Sequence, residues 1–115
     1  MDTTGKELAP ALKALGDESR FRILSLLLAH DLCVRALARR LELSESAVSQ
    51  HLKVLREAGL VRGEKRGYFT HYAVERERLH ELGAVLKAMA AAPCSTCEPG
   101  QDCPKAGAGN PSDQE

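Results

Sequence analysis

Apolar residues are spaced along the first ninety positions in a way that sets out most of the secondary structure. Leu8, Leu12 and Leu15 recur at i, i+4 and i+7, which predicts an amphipathic helix ending at Gly16, with Pro10 disturbing its first turn. Asp17 offers an N-cap, with Glu18 in the first turn, for a second helix carrying Phe21, Ile23, Leu24, Leu27 and Leu28, largely core. From about 33 to 41, Val34, Leu37, Ala38 and Leu41 share one face, and Arg35, Arg39 and Arg40 point elsewhere. Glu42 and Leu43 form a tight connection, Ser44 caps a fourth helix over about 45–58, and Gly59 stops it. Residues 60–64 and 68–74 alternate with a partial period of two around Lys65, Arg66 and Gly67, which predicts a β-hairpin with a basic tip. Leu79, Leu82, Val85, Leu86 and Met89 then mark one face of a last helix over 76–91. The expected fold is therefore mainly α with a small β-hairpin: a winged helix-turn-helix domain over residues 1–91, followed by a Pro/Gly-rich flexible tail over 92–115.

The fourth helix carries the chemistry. Ala47, Val48, Leu52 and Leu55 form its apolar face, whereas Ser46, Ser49, Gln50, Lys53 and Arg56 form a polar stripe at helical spacing. A merely solvated face usually mixes acidic residues into long charged pairs. Short hydrogen-bonding groups near the N-terminus with cations further along suit base edges and phosphates instead. Ser44, Ser46, Ser49 and Gln50 are candidates to contact DNA, and Lys53, Arg62, Lys65 and Arg66 to contact phosphate or, at the wing tip, the minor groove. His51 either touches phosphate or bridges the helix to its neighbours, with the structural role preferred; each polar residue also has an ordinary solvated reading.

Composition qualifies this picture. The chain has 115 residues, enough for one small domain, and a formal charge of zero, which on its own argues against nucleic acid. The charge is unevenly distributed, however: residues 32–67 carry a surplus of four positive charges, and residues 92–115 a net charge of −3. No apolar run reaches the ~18 residues that would suggest a membrane helix, and no secretion signal is evident, so a cytoplasmic location is expected. The four cysteines then read as thiols available for chemistry rather than a disulfide framework.

At this point the chain resembles the ArsR/SmtB family of bacterial metal-responsive repressors over roughly residues 8–91. The resemblance is carried by KALGDESRFRILSLL, by LSESAVSQHLKVLREAGLV with its Ser49, His51, Leu52, Leu55 and Gly59, and by the wing ending in Tyr72, Ala73 and Val74. It implies a homodimer that holds operator DNA and releases it on capturing an inducer. The apolar stripes of the first and last helices independently suit a two-fold interface, although they could instead wrap one monomer's core, and such symmetry predicts an inverted-repeat operator.

The arsenic-responsive branch opens its third helix with a motif like ELCVCDL. Here the segment is DLCVRAL, so Cys33 keeps the first thiol position and Arg35 replaces the second; a guanidinium is no metal ligand. The zinc-sensing branch uses carboxylates and histidines on the last helix, but His80 and Glu81 are adjacent and cannot face one target. There remain Cys94, Cys97 and Cys103 beyond the last helix, and some family members do carry inducer cysteines there. Three soft thiolates match the pyramidal preference of arsenite or antimonite, and four, with Cys33 as a weaker candidate, could enclose Zn or Cd. Cys33 reads equally as a buried small hydrophobe. The alternatives for the trio are a thiol-based redox sensor and idle thiols. A thiol oxidoreductase is disfavoured because its motif belongs on a βαβ scaffold, and no other catalytic constellation is visible. A protein-binding module of the same fold would leave the polar stripe unexplained.

Overall fold

The computed structural model describes residues 5–95, with side chains from residue 8 onward. The helices are α1 (Gly5–Leu15), α2 (Glu18–Ala29), α3 (Val34–Leu41), α4 (Glu45–Glu57) and α5 (Arg76–Ala91); the strands are β1 (Leu32–Cys33), β2 (Val61–Arg66) and β3 (Phe69–Val74). Both expected N-caps form: the Asp17 carboxylate accepts from the Arg20 backbone N–H at 3.0 Å, and the Ser44 hydroxyl accepts from the Ala47 N–H at 3.0 Å. α4 ends in a Schellman arrangement, in which Leu60 N–H reaches Leu55 C=O and Gly59 N–H reaches Arg56 C=O, with Gly59 at φ 78°. The turn from α3 to α4 is equally tight, but its left-handed residue is Glu42, at φ 59°.

The sheet differs from the expected hairpin. It has three antiparallel strands in the order β1-β3-β2, because Leu32 and Cys33 pair with Tyr72 and His71. Two residues are too few to show an alternating pattern, and their strand conformation comes from tertiary pairing with β3. Cys33 therefore ends a strand and serves as the N-cap residue of α3, without a side-chain capping bond. β2 also runs on through Lys65 and Arg66, so the hairpin turn is only Gly67 and Tyr68, with glycine supplying a φ of 66°.

Leu8, Ile23, Leu37, Val48, Leu52, Leu55 and Leu60 are fully buried at the centre, and no polar or charged side chain among the described residues is buried with them. On α1 the buried face is Leu8, Ala11 and Ala14, leaving Leu12 41% exposed. On α5 only Leu82 is buried; Leu86 and Met89 are 47% and 67% exposed. The stripes read as amphipathic in the sequence thus exceed what this single chain covers. No helix among the described residues is long and apolar enough to cross a membrane.

Candidate nucleic-acid interface

Val48, Leu52 and Leu55 seal one side of α4 against the core, and this fixes what the helix offers to solvent. Ser46, Ser49, Gln50, Lys53 and Arg56 all stay exposed along the opposite edge, with Ser44 exposed at its start. The structure thus brings the proposed base-contacting residues and Lys53 together on one projecting helix. Ser44 already uses its oxygen as the cap, so it has only its hydroxyl proton and a remaining lone pair to offer a partner.

His51 lies apart from that edge. Its ring is half-buried, with Nδ1 3.4 Å from Arg20 Nη1 and 4.0 Å from Asp17 Oδ2, so it faces the N-terminus of α2. Arg20 is fixed in turn by donating from Nε to the Ala14 carbonyl at 2.7 Å. His51 thereby links α4 to the α1–α2 corner.

The wing divides its cations between its two faces. Strand alternation puts Arg62, Glu64 and Arg66 on one face of β2 and Val61, Gly63 and Lys65 on the other. Gly63 packs closely there, since a Cβ would come within 3.1 Å of the Thr70 methyl and 3.4 Å of the Tyr72 ring and those neighbours would have to give by a few tenths of an ångström. Lys65 sits opposite Thr70, which borders a recess shared with Tyr68, Tyr72 and Glu45, the first residue of α4. Lys65 therefore lies on the sheet face turned toward the start of α4, beside Tyr68, whose side chain at the wing tip is almost wholly exposed.

Arg62 and Arg66 are held in a chain of ion pairs on the far face. Arg62 Nη1 donates to Glu75 Oε1 at 3.0 Å and Nη2 lies 3.2 Å from Glu64 Oε2; Arg66 Nη2 donates to Glu64 Oε1 at 2.8 Å and Nη1 pairs with Asp31. His71 Nδ1 lies 3.0 Å from the other Asp31 oxygen. The Arg66 hydrogen bond, then His71, holds Asp31 below its ordinary 3.8; Arg66 does the same to Glu64, and its own pKa is raised by Asp31. Asp17 is lowered chiefly by the Arg20 backbone N–H. The alternation Arg62, Glu64, Arg66 was readable in the sequence as opposite charges on one strand face, but the remote partners Asp31 and Glu75 were not.

These depressed carboxylates set an acid limit on stability. A carboxylate whose pKa is lower folded than unfolded stabilises the fold above its unfolded pKa, and that contribution disappears as pH falls through the folded value. Stability measured by urea denaturation is therefore expected to decline as pH drops through the ordinary 4.5 of Glu and 3.8 of Asp, and to keep declining below them. Asp31→Asn should flatten this profile; an unchanged acid limb would show that the Asp31 pairs with Arg66 and His71 contribute nothing.

The cysteines are less assembled. Cys33 is half-buried and lies in register with His71, and Arg35, two residues on, is engaged with Glu45 at 3.9 Å and with the Phe69 ring at 6.0 Å. Cys94 is exposed three residues after α5; Cys97 and Cys103 lie outside the described residues. Among the described residues no three His, Cys, Asp or Glu side chains are grouped to hold a metal.

The family model described as bacterial regulatory protein, arsR family, matches residues 17–62, which run from the cap of α2 into the wing. The chain is also 42% identical over 86 residues to the transcriptional activator HlyU of Vibrio cholerae, an alignment covering 75% of this chain and 80% of that protein. The chain belongs to the ArsR family of bacterial regulatory proteins. It is a DNA-binding transcriptional regulator, not an enzyme. Another relative of this ArsR-family chain is the arsenic resistance transcriptional regulator ArsR1 of Pseudomonas putida, 39% identical over 77 residues, which are 65% of this chain and 59% of that one. Among solved structures, a homodimeric winged helix-turn-helix DNA-binding domain from Mycobacterium bovis superposes with a TM-score of 0.63 at 28% identity, covering 74% of this chain and 79% of that one. The ArsR family accounts for an exposed α4 edge beside a basic wing.

Proposed function

We propose that this chain is a homodimeric repressor that holds an inverted-repeat operator in the cytoplasm and releases it when a thiophilic ion, arsenite foremost, is captured by Cys94, Cys97 and Cys103. The observation that carries the DNA half is the α4 edge from Ser46 to Arg56, which is left exposed while Val48, Leu52 and Leu55 on the other side are sealed against the core. The exposed Leu12, Leu86 and Met89 support a two-fold interface through α1 and α5, as does the homodimeric relative. That symmetry would set two α4 helices one duplex turn apart, roughly 34 Å.

The donor chemistry favours the tail over the start of α3. At α3 a single thiol stands beside a guanidinium engaged with Glu45 and Phe69, whereas the tail, residues 92–115, supplies three thiols within ten residues, the first of them exposed. Trivalent arsenic and antimony prefer three soft donors, and Zn or Cd would require a fourth, for which Cys33 is the candidate. Capture induces release only if the ion favours the low-affinity conformation over the DNA-bound one. Titrating the reduced protein–operator complex with arsenite, antimonite, Zn²⁺, Cd²⁺ and peroxide tests this, with dissociation as the readout. Arsenite is expected to dissociate the wild type and to leave the Cys94→Ser, Cys97→Ser, Cys103→Ser triple variant bound. Full release of that variant would remove the tail from the mechanism.

A second reading is thiol redox sensing, favoured by the exposure of Cys94 and by its C-x2-C spacing to Cys97. There peroxide would take two electrons and two protons from the thiols as the disulfide forms and water is released. Release by peroxide alone, reversed by a dithiol reductant, would select this reading.

A further inference from the structure

The outer surface of α2 carries a feature that DNA reading does not use. Ile23, Leu24 and Leu27 bury one side of that helix, yet Phe21, the largest apolar residue on it, is 56% exposed. It forms one wall of a notch of about 310 Å³ between α2 and the end of α3, completed by Arg22, Ser25, Leu26, Arg40 and Leu41. Leu41 is buried and Leu26 half-buried, so the interior of the notch is apolar; Arg22 and Arg40 are exposed at its rim. No acidic side chain lines it.

Four other arginines are paired with carboxylates. Arg62 is paired with Glu64 and Glu75, Arg66 with Asp31 and Glu64, Arg35 with Glu45, and Arg78 with Glu81, whereas Arg76 donates to the Leu28 carbonyl. Among the described residues neither Arg22 nor Arg40 has a carboxylate within ion-pair distance. An apolar recess between two uncompensated guanidinium groups complements one ligand pattern: an apolar side chain flanked by carboxylates. Arginine fits carboxylates bidentately, and an aromatic residue with Arg is the composition of interface anchors.

We propose that the α2–α3 notch docks an acidic segment of another protein, which seats one large apolar side chain against Phe21 and Leu41 and pairs its carboxylates with Arg22 and Arg40. The occupant is not this chain's own acidic tail, because residues 92–115 contain no Leu, Ile, Val, Met, Phe, Tyr or Trp to fill the recess. Nor is it the DNA seated on α4, since none of the six lining residues belongs to α4 or to the wing. An aliphatic recess walled by Phe is also not what a phosphate backbone requires.

The test uses the full chain and a fluorescein-labelled peptide of Asp and Glu surrounding a single central Phe, with binding read by fluorescence polarisation. The wild type is expected to bind it, and the Arg22→Glu, Arg40→Glu double variant to lose at least about tenfold in affinity, as a peptide with Ser in place of Phe should also do. Phe21→Ser, which removes the wall and keeps both charges, is expected to weaken binding while operator affinity and dimer mass stay unchanged. Equal binding of the peptide by the wild type and the charge-reversed variant would overturn the proposal. So would a loss of operator affinity with a flatter salt dependence in the double variant, since Arg22 and Arg40 would then be phosphate contacts. Dissociation of the dimer by Phe21→Ser would overturn it as well, because the notch would then seat a second copy of this chain.

Discussion

Gln50→Ala is expected to weaken binding to the specific operator by about 1–3 kcal/mol and to leave binding to unrelated duplex nearly unchanged. Gln50 stands on the exposed edge of α4 between Ser49 and Lys53, and its amide offers a donor and an acceptor together, the pair that a base edge in the major groove can match. Lys65→Ala provides the contrast. A cation on the wing face turned toward α4 meets the backbone, so its loss should weaken all sequences alike and reduce the slope of log affinity against log salt by about 1. Arg66→Ala is expected to do less to that slope than Lys65→Ala, because Arg66 is already held by Asp31 and Glu64. Gel retardation on operator and scrambled duplex over a salt series measures all three. Unchanged operator affinity in both Gln50→Ala and Lys65→Ala would reject this docking.

Leu55→Ala should lower folding stability by about 2–5 kcal/mol. Leu55 is fully buried, lies in the last full turn of α4, and its carbonyl accepts the Leu60 N–H that closes the helix before the wing begins. Truncation leaves a cavity among side chains that cannot fully relax into it, at the point where the reading helix joins the sheet. Urea denaturation of the wild type and the variant gives the difference directly. A cost below about 0.5 kcal/mol, the range of ordinary surface substitutions, would mean that Leu55 does not anchor α4 as described.

Helices, caps and the reading edge were largely legible because each is a local property. Asp17 and Ser44 cap the helices they precede, and the serines and glutamine of α4 appear where a 3.6-residue period places them. What the sequence hid depends on contacts between distant segments. The strand at Leu32 and Cys33 exists only because β3 pairs with it, and Arg62 and Arg66 look like free wing cations until Asp31 and Glu75 are brought beside them. Leu12 shares an apolar stripe with Leu8 and Leu15 by spacing, yet within this chain the smaller Ala11 and Ala14 face inward beside Leu8 and leave Leu12 exposed. For the thiols, local pattern was sufficient to propose the chemistry of Cys94, Cys97 and Cys103, whereas any assembly of all three involves positions outside the described residues.

The short pairing of Leu32 and Cys33 with Tyr72 and His71 gives the molecule a mechanical property. Because the corner leading out of α2 is stitched to the central wing strand, while α3 and α4 follow it through connections of almost no slack, a tilt of that corner swings the reading edge and the wing together. Extra residues between Gly67 and Tyr68 would lengthen the wing without disturbing this coupling. A single residue added between Asp31 and Cys33 would instead shift the stitch by one place and exchange which of its side chains face the interior.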